Sequence, residues 1–165
     1  MSEPIIEQIT QWLVAALTEI TQANGYQQDL AVKRPEDTYL DSESVTDLTT
    51  MVAQGACEPD QSGTMEELFW KQTFEISIFF CPVPGASLSL DTRINRAVSD
   101  VYKRLGVELA AIRTNHGRLC DELAYRFDFE GVEIGIVESL AATVATVLVT
   151  VAYTVNRTDP YVQTS

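Results

Sequence analysis

The sequence predicts an α+β domain, a mainly antiparallel β-sheet with two amphipathic helices packed on one face and a long C-terminal strand. First, an uncharged segment at residues 140–155 has the two-residue period of a strand. Second, strand-like segments follow one another in runs, which favours antiparallel pairing. Third, only residues 4–23 and 91–105 have the periodicity of an amphipathic helix. The predicted order is therefore α-β-β-β-α-β-β-β.

The length and composition are those of a single folded domain. The 165 residues suit one domain, residues 1–165, with its own hydrophobic core. Hydrophobic residues make up 45% of the chain and charged residues 21%, so we expect a folded chain rather than a disordered one. The chain starts without a signal-peptide pattern. Cys57, Cys81 and Cys120 are widely spaced, so we expect free, mostly buried thiols in a reducing compartment.

The segment at residues 140–155 has two competing interpretations, a membrane helix or a buried strand. Sixteen residues are fewer than the roughly 20 that a membrane-spanning helix needs. The segment is rich in β-branched Val and Thr, which fit a pleated sheet better than a helix. The strand is therefore the favoured interpretation, and Pro160 follows it as a residue that cannot donate to a β-ladder.

The first predicted helix covers residues 4–23. Its apolar residues recur at helical spacing and share one face: Ile5, Ile6, Ile9, Trp12, Leu13, Ala16, Leu17 and Ile20. Gly25 can adopt the left-handed conformation that ends a helix. A single apolar stripe predicts that this helix packs against the sheet.

Two short strands and two loops are predicted next. Residues 26–34 and 45–53 have strand character. Residues 35–44 are polar and acidic, and residues 55–63 are rich in turn-forming residues, so both are predicted to be loops.

The middle of the chain combines a strong strand with the second helix. Residues 68–80 alternate, and the face that they turn to the core is large and apolar: Trp70, Phe74, Ile76, Ile78 and Phe80. These aromatic residues are interpreted as core rather than as a ligand pocket. The helix at residues 91–105 is predicted to have Asp91 as its N-cap and to end at Gly106.

A β-hairpin is predicted between residues 123 and 136. Leu123, Tyr125, Phe127 and Phe129 alternate with polar residues, and apolar residues alternate again from Val132 onward. Gly131 is the predicted turn between the two arms of this hairpin.

The net charge of −13 limits the partners that the chain can bind. The chain has 24 acidic and 11 basic residues and no run of Lys or Arg. Tight binding to the backbone of nucleic acid requires a basic patch, because protein cations must replace the ions condensed on the phosphates. We therefore expect no tight binding of DNA.

Candidate catalytic and metal sites are weak in this sequence. His116 and Cys120 lie four residues apart, but no nucleophile signature surrounds them. Five acidic residues could be drawn as a cation site but lack the spacing and the central glycine of a calcium loop: Asp41, Glu43, Asp47, Glu58 and Asp60. The two glycines of residues 131–135 precede a strand rather than a helix, so they do not form a phosphate cradle. We predict no catalytic residue, no metal and no cofactor, which favours a binding or structural role.

Five segments together resemble the tail terminator, or tail completion, proteins of tailed phages and their minor-tail and neck relatives. They are PIIEQITQWLVAALTEI, the exit from Gly25 and Tyr26 into a strand ending at Arg34, FWKQTFEISIFF, DTRINRAVSDVYKRL and VTVAYTVNRTDPY. They cover most of the chain. The closing strand with its Asp-Pro-Tyr tail is the most suggestive of them.

The resemblance implies a virion structural protein that is made in the host cytoplasm and has no catalysis, cofactor or membrane contact. Six copies would form a ring that caps the head-proximal end of the tail tube, stops tube growth and joins the tail to the connector of the head. The implied partners are further copies of the chain, the tail tube protein and the head–tail connector or neck proteins. The two long acidic loops leave a sheath contact open. DNA would pass through the lumen without binding tightly, which fixed negative charge favours.

A ring requires two different contact surfaces on each subunit. For one surface we predict the C-terminal residues Arg157, Asp159, Pro160 and Tyr161 together with the predicted hairpin at Glu130 and Gly131. For the other we predict the acidic loop that carries Glu36, Asp37 and Asp41.

Two alternatives remain beside the tail terminator. The first is another phage neck, tube or baseplate-associated protein on a related fold. The second is a small enzyme or ligand-binding module. The size of the assembled protein and its position in the particle distinguish the three hypotheses.

Overall fold

The computed structural model describes residues 3–35, 44–61, 63–115 and 123–161. Two α-helices and five β-strands follow one another in this part of the chain. They are α1 (Ile5–Thr18), β1 (Ala31–Lys33), β2 (Thr49–Gln61), β3 (Glu67–Phe80), α2 (Leu90–Asn115), β4 (Arg126–Val137) and β5 (Ala142–Asn156).

The strands form one mixed sheet in the order β1-β2-β3-β5-β4. Three of the four strand pairs are antiparallel, and only β1 and β2 are parallel. The long C-terminal strand β5 lies between β3 and β4. The predicted α+β class and the long C-terminal strand are therefore confirmed, with a strand order that differs from the order along the chain.

The main core lies between the two helices and one face of the sheet. The helices contribute buried residues such as Ile9, Leu13 and Val101. The sheet contributes alternate residues of β3 and β5: Phe74, Ile76, Ile78, Phe80, Ala145, Val147, Val149 and Val151. The predicted apolar face of β3 is confirmed as core, with Trp70 partly buried at its margin. We call this side the helix face and the other the open face.

A smaller cluster lies on the open face at one end of the sheet. It contains Val45, Met51, Phe79 and Ala142. Elsewhere on the open face, Ser77 Oγ and Thr146 Oγ1 form a hydrogen bond of 3.0 Å. The helices therefore cover only one face, as the sequence predicts.

The segment at residues 140–155 is extended, since β5 covers nearly all of it. The alternative interpretation of this segment as a membrane helix is wrong. No helix among the described residues is long and apolar enough to cross a membrane.

Both predicted helices have different bounds in the structure. The helix α1 ends at Thr18, and a short 3₁₀ helix (Gln22–Asn24) precedes Gly25, whose φ of 83° is left-handed as predicted. The helix α2 continues past Gly106 to Asn115. A glycine inside a helix costs only about 1 kcal/mol relative to alanine, so it is a weak stop signal.

The N-terminus of α2 also differs from the prediction. The helix begins at Leu90, one residue before the predicted cap Asp91. The side-chain oxygen of Ser89 accepts a hydrogen bond of 3.3 Å from the backbone N–H of Thr92. Ser89 therefore has the role of a capping residue, because its hydroxyl satisfies one of the free donors of the first turn.

The predicted strands in the first half of the chain are displaced. The first is reduced to β1, and β2 begins at Thr49 and runs through most of the predicted loop at residues 55–63. A bulge at Gly55 and Ala56 lets this turn-rich segment pair with β3. The buried amide of Gln72 donates hydrogen bonds of 2.9 and 3.2 Å to the Gly55 and Ala56 carbonyls, which satisfies the acceptors that the bulge leaves free.

The hairpin predicted around Gly131 is wrong. Residues 126–137 form the single strand β4, and the reversal comes after it, at the short 3₁₀ helix Glu138–Leu140 that leads into β5. Between Phe129 and Gly131 the pairing of β4 with β5 shifts by one residue. The predicted turn is therefore a β-bulge, and the described part of the chain has one strand fewer than predicted.

Candidate assembly surfaces

The strand β4 forms an edge of the sheet, and half of it is exposed and apolar. Among the described residues its one strand neighbour is β5. Val132 is 38% exposed, Ile134 64% and Ile136 77%. Unpaired backbone groups beside an apolar surface make such an edge a place where another chain can pair. We call these three residues together with Glu133 the β4 edge patch.

The bulge at Glu130 determines which way this patch faces. Phe129 pairs with Val149 and Val132 pairs with Val147, and both partners on β5 point to the helix face. If residues 129–132 paired regularly without a bulge, Val132 would point to the open face, because successive residues of a strand alternate. The bulge therefore keeps apolar residues of both halves of β4 on the helix face. Gly131 has φ 153°, a value that side chains rarely tolerate.

The C-terminal residues from Arg157 to Tyr161 pack at the opposite end of β5. The backbone N–H of Arg157 donates to the Glu66 carbonyl at 2.8 Å, and the Pro160 carbonyl accepts a bond of 3.3 Å from Ile5 at the start of α1. An Asp159 carboxylate oxygen accepts a bond of 3.0 Å from the Tyr161 N–H. Tyr161 is 46% exposed.

The structure does not bring the two parts of the first predicted surface together. Gly131 pairs with Leu148, eight residues before Asn156 at the end of β5. At a rise of about 3.4 Å per residue, roughly 27 Å of strand separates them. The second predicted surface, with Glu36, Asp37 and Asp41, lies outside the described residues.

An ion-paired cluster ties the end of β2 to the start of β4 across the intervening strands. One carboxylate oxygen of Asp60 accepts a hydrogen bond of 2.6 Å from the Tyr125 hydroxyl, and the other lies 2.7 Å from Arg126 Nη2. Arg126 Nε also donates to Asp128 at 2.9 Å. The bond from Tyr125 and the charge of Arg126 lower the pKa of Asp60. Burial, followed by the bond to Asp60, raises the pKa of Tyr125.

Three of the five acidic residues considered as a cation site belong to separate ion pairs. Asp47 pairs with Arg93, and Glu58 pairs with Lys71 at 2.7 Å. Asp60 pairs with Arg126. In the part of the chain that the structure describes, no group of three or more His, Cys, Asp or Glu residues could hold a metal ion. Asp41 and Glu43 lie outside that part.

A shallow groove beside the first turns of α2 is one candidate site for a small ligand in the described part of the chain. Its volume is about 270 Å³, and its lining includes Gln28, Arg93 and Arg96. The Gln28 amide nitrogen donates to the Arg93 carbonyl at 3.0 Å, and Asp100 accepts the Gln27 and Gln28 N–H groups at 2.8 and 3.1 Å. These bonds attach the segment after α1 to α2, so each of them has a structural role.

The cysteines differ from the prediction of buried thiols. Cys57 is exposed on β2, so the prediction is wrong there. Cys81 is half-buried, and burial raises the pKa of its thiol. His116 and Cys120, the imagined catalytic pair, lie outside the described residues.

Sequence reasoning missed the β4 edge patch and the Asp60 cluster. The alternation of Val132, Ile134 and Ile136 was visible, but it does not indicate whether a helix covers the strand. The contact between Asp60 and Arg126 depends on the strand order, for which a single sequence has no local signal.

Comparison with known proteins provides no family assignment. The chain matches no protein-family model, and no curated protein has a sequence similar to it.

Proposed function

We propose that this chain is a structural protein of a phage virion that resembles a tail terminator. Copies form a ring that caps the head-proximal end of the tail tube and joins the tube to the connector of the head. The proposal includes no catalysis and no cofactor. The ring order of six comes from the family resemblance.

The observation that carries the proposal is the β4 edge patch. Val132, Ile134 and Ile136 lie exposed along a strand whose outer edge has no strand partner among the described residues. Exposed apolar side chains of this kind are typical of surfaces that contact another protein. A subunit of a ring requires such surfaces, because each copy contacts two neighbours.

The segments that carry the family resemblance also support the proposal. They form α1, β1, β3, α2 and β5. The strands β3 and β5 pair over fourteen consecutive positions, from Glu67 with Asn156 to Phe80 with Thr143. The segments FWKQTFEISIFF and VTVAYTVNRTDPY therefore lie on neighbouring strands of one sheet.

The negative charge of the chain is compatible with a ring whose lumen lets DNA pass without binding it. The net charge is −13. Fixed negative charge repels phosphate, so DNA passing through the ring would not adhere to it.

Labelling of intact particles tests the proposal. Antibody to the purified chain, coupled to gold, is applied to particles of the phage that encodes it and viewed by electron microscopy. We expect gold at the junction of head and tail, and tails of uneven length without heads when the gene is deleted. Gold at the distal tip would instead favour a baseplate protein, and particles without gold would contradict a role in the virion.

A further inference from the structure

The two edges of the sheet run in opposite directions, and this determines how a second copy can join it. The strand β1 is parallel to β2, and each later neighbour in the sheet is antiparallel to the one before it. Among the described residues β1 and β4 are the edge strands of the sheet, and they are therefore antiparallel to each other. A second copy placed beside the first in the same orientation brings its β1 next to β4 as an antiparallel pair, which is the commoner type of ladder.

One row of paired residues crosses the whole sheet and ends in opposite charges. Lys33 on β1 pairs with Met51, which pairs with Ser77 on β3, and Ser77 pairs with Thr146 on β5. Thr146 then pairs with Glu133 on β4. Lys33 and Glu133 are thus at the same level on the two opposite edges.

The adjacent row ends in apolar residues on the helix face. Val32 pairs with Thr50, Thr50 with Ile78, and Ile78 with Ala145. Ala145 pairs with Ile134. Val32 is half-buried against the main core, and Ile134 is 64% exposed.

We propose that copies of this chain join head to tail, with β4 of one copy pairing antiparallel with β1 of the next. Without a shift along the strands, Glu133 of one copy meets Lys33 of its neighbour, and Ile134 meets Val32. This inference rests on the proposed function and names the interface that closes the ring. The contact is heterologous, because two different edges meet, and such contacts form rings when the rotation closes.

The matching of charge and polarity favours a second copy as the occupant of the β4 edge. An opposite-charge pair and an apolar pair at directly opposed positions each stabilise an antiparallel ladder. Lys33 Nζ donates to the Ser44 carbonyl at 2.7 Å. An ammonium group has three donor hydrogens, so Lys33 can donate to the carboxylate of Glu133 in addition to the Ser44 carbonyl.

A disulfide trap tests the proposed pairing. The variant K33C/E133C of the full chain is oxidised mildly and analysed by mass under non-reducing conditions. Directly opposed residues of antiparallel strands have Cβ atoms about 4.5–5.5 Å apart, close to the span of a disulfide. We expect the double variant to form a series of disulfide-linked dimers and higher multimers. The single variants K33C and E133C are the controls: neither can form the 33–133 disulfide, so any dimer that they form is linked through another cysteine, such as the exposed Cys57.

Charge reversal provides the second test, with sedimentation as the readout. E133K places two positive side chains opposite each other, so we expect the association to weaken by about tenfold. The double variant K33E/E133K again has opposite charges at the two positions, so we expect it to restore association. The control E66K has the same change of charge at an exposed position of the turn between β2 and β3 and is expected to associate normally. Circular dichroism verifies that each variant is folded.

The outcomes separate this inference from the proposed function. Rings that assemble normally with E133K, or a K33C/E133C variant without linked species, would overturn the edge pairing. A chain that remains monomeric at every concentration and does not cross-link would also overturn it. Linked multimers of a chain that is absent from tails would support the edge pairing and overturn the proposed function.

Discussion

The two halves of β4 lie on the same strand and turn apolar residues to the same face, yet only one half is buried. In the first half, Phe127 is 1% exposed, and Phe129 packs edge-on against Tyr102 of α2 at 4.5 Å between ring centroids. In the second half, Ile134 and Ile136 are 64% and 77% exposed. The strand pattern is similar in both halves, so the pattern does not determine burial.

The path of α2 explains the difference. Near its start, Arg93 lies over the Phe80 ring at 5.7 Å, at the end of β3. Phe80 is at the same level of the sheet as Ile136. Farther along the helix, the Tyr102 ring packs against Phe129 of β4. The buried half of β4 is therefore a core strand, and the exposed half is available to another chain.

The largest expected loss of unfolding free energy comes from a substitution in the buried half of β4. Phe127→Ala removes a side chain that packs against Phe129 at 5.5 Å between ring centroids. Because the ring leaves a cavity in a packed core, we expect a loss of about 3–5 kcal/mol in the free energy of unfolding. Urea unfolding followed by circular dichroism measures it. A loss below about 1 kcal/mol would mean that the first half of β4 is no better covered than the second.

The second largest expected loss of unfolding free energy is at Gly131, in the bulge between the two halves. Gly131→Ala puts a side chain on a backbone with φ 153°, although no neighbour lies within 4 Å of the added carbon. The cost is therefore conformational, and we expect about 1–3 kcal/mol. The matched control is Gly135→Ala, where the added carbon makes only an ordinary contact with Val144. Equal losses of unfolding free energy at the two glycines would contradict the claim that the bulge requires a glycine at position 131.

The Asp60 cluster attaches the first half of β4 to β2, and its effect depends on pH. The pKa of Asp60 is lowered in the folded state, so its stabilisation is present above the ordinary pKa and is lost as the pH falls through the folded value. We expect Asp60→Asn to lose about 1 kcal/mol at pH 7, since Arg126 is 45% exposed and water screens the pair.

Unfolding free energies measured from pH 7 to pH 3 check this prediction. The difference between the wild type and Asp60→Asn is expected to narrow below about pH 4, where the carboxylate of the wild type becomes protonated. The control Asp128→Asn changes the more exposed acceptor of Arg126 and is expected to have a smaller effect. A difference between wild type and Asp60→Asn that is constant with pH would contradict the electrostatic explanation.

The smallest expected loss of unfolding free energy comes from a substitution in the exposed half of β4. Ile136→Ala removes apolar atoms that are already in water, so the free energy of unfolding of the dissociated chain changes by less than about 0.5 kcal/mol. Urea unfolding at the lowest usable protein concentration measures this. A loss comparable to that of Phe127→Ala would show that Ile136 is covered within its own chain.

The sequence predicted the elements with strong periodicity and missed those that depend on their neighbours. The strands β3 and β5 and the apolar stripe of α1 were predicted because their patterns span many residues. The extension of β2 was missed, because the Gln72 amide that satisfies its bulge lies on another strand. The exposed half of β4 was missed for a similar reason, since its exposure depends on the path of α2.

A reconstruction of the assembled phage tail by electron microscopy, with this chain traced in it, tests the proposed ring and its interface together. We expect a closed ring at the end of the tube nearest the head, with β4 of each copy beside β1 of the next and Glu133 facing Lys33. A chain at that position whose β4 edge faces solvent, or a chain located at the distal tip, would contradict this account.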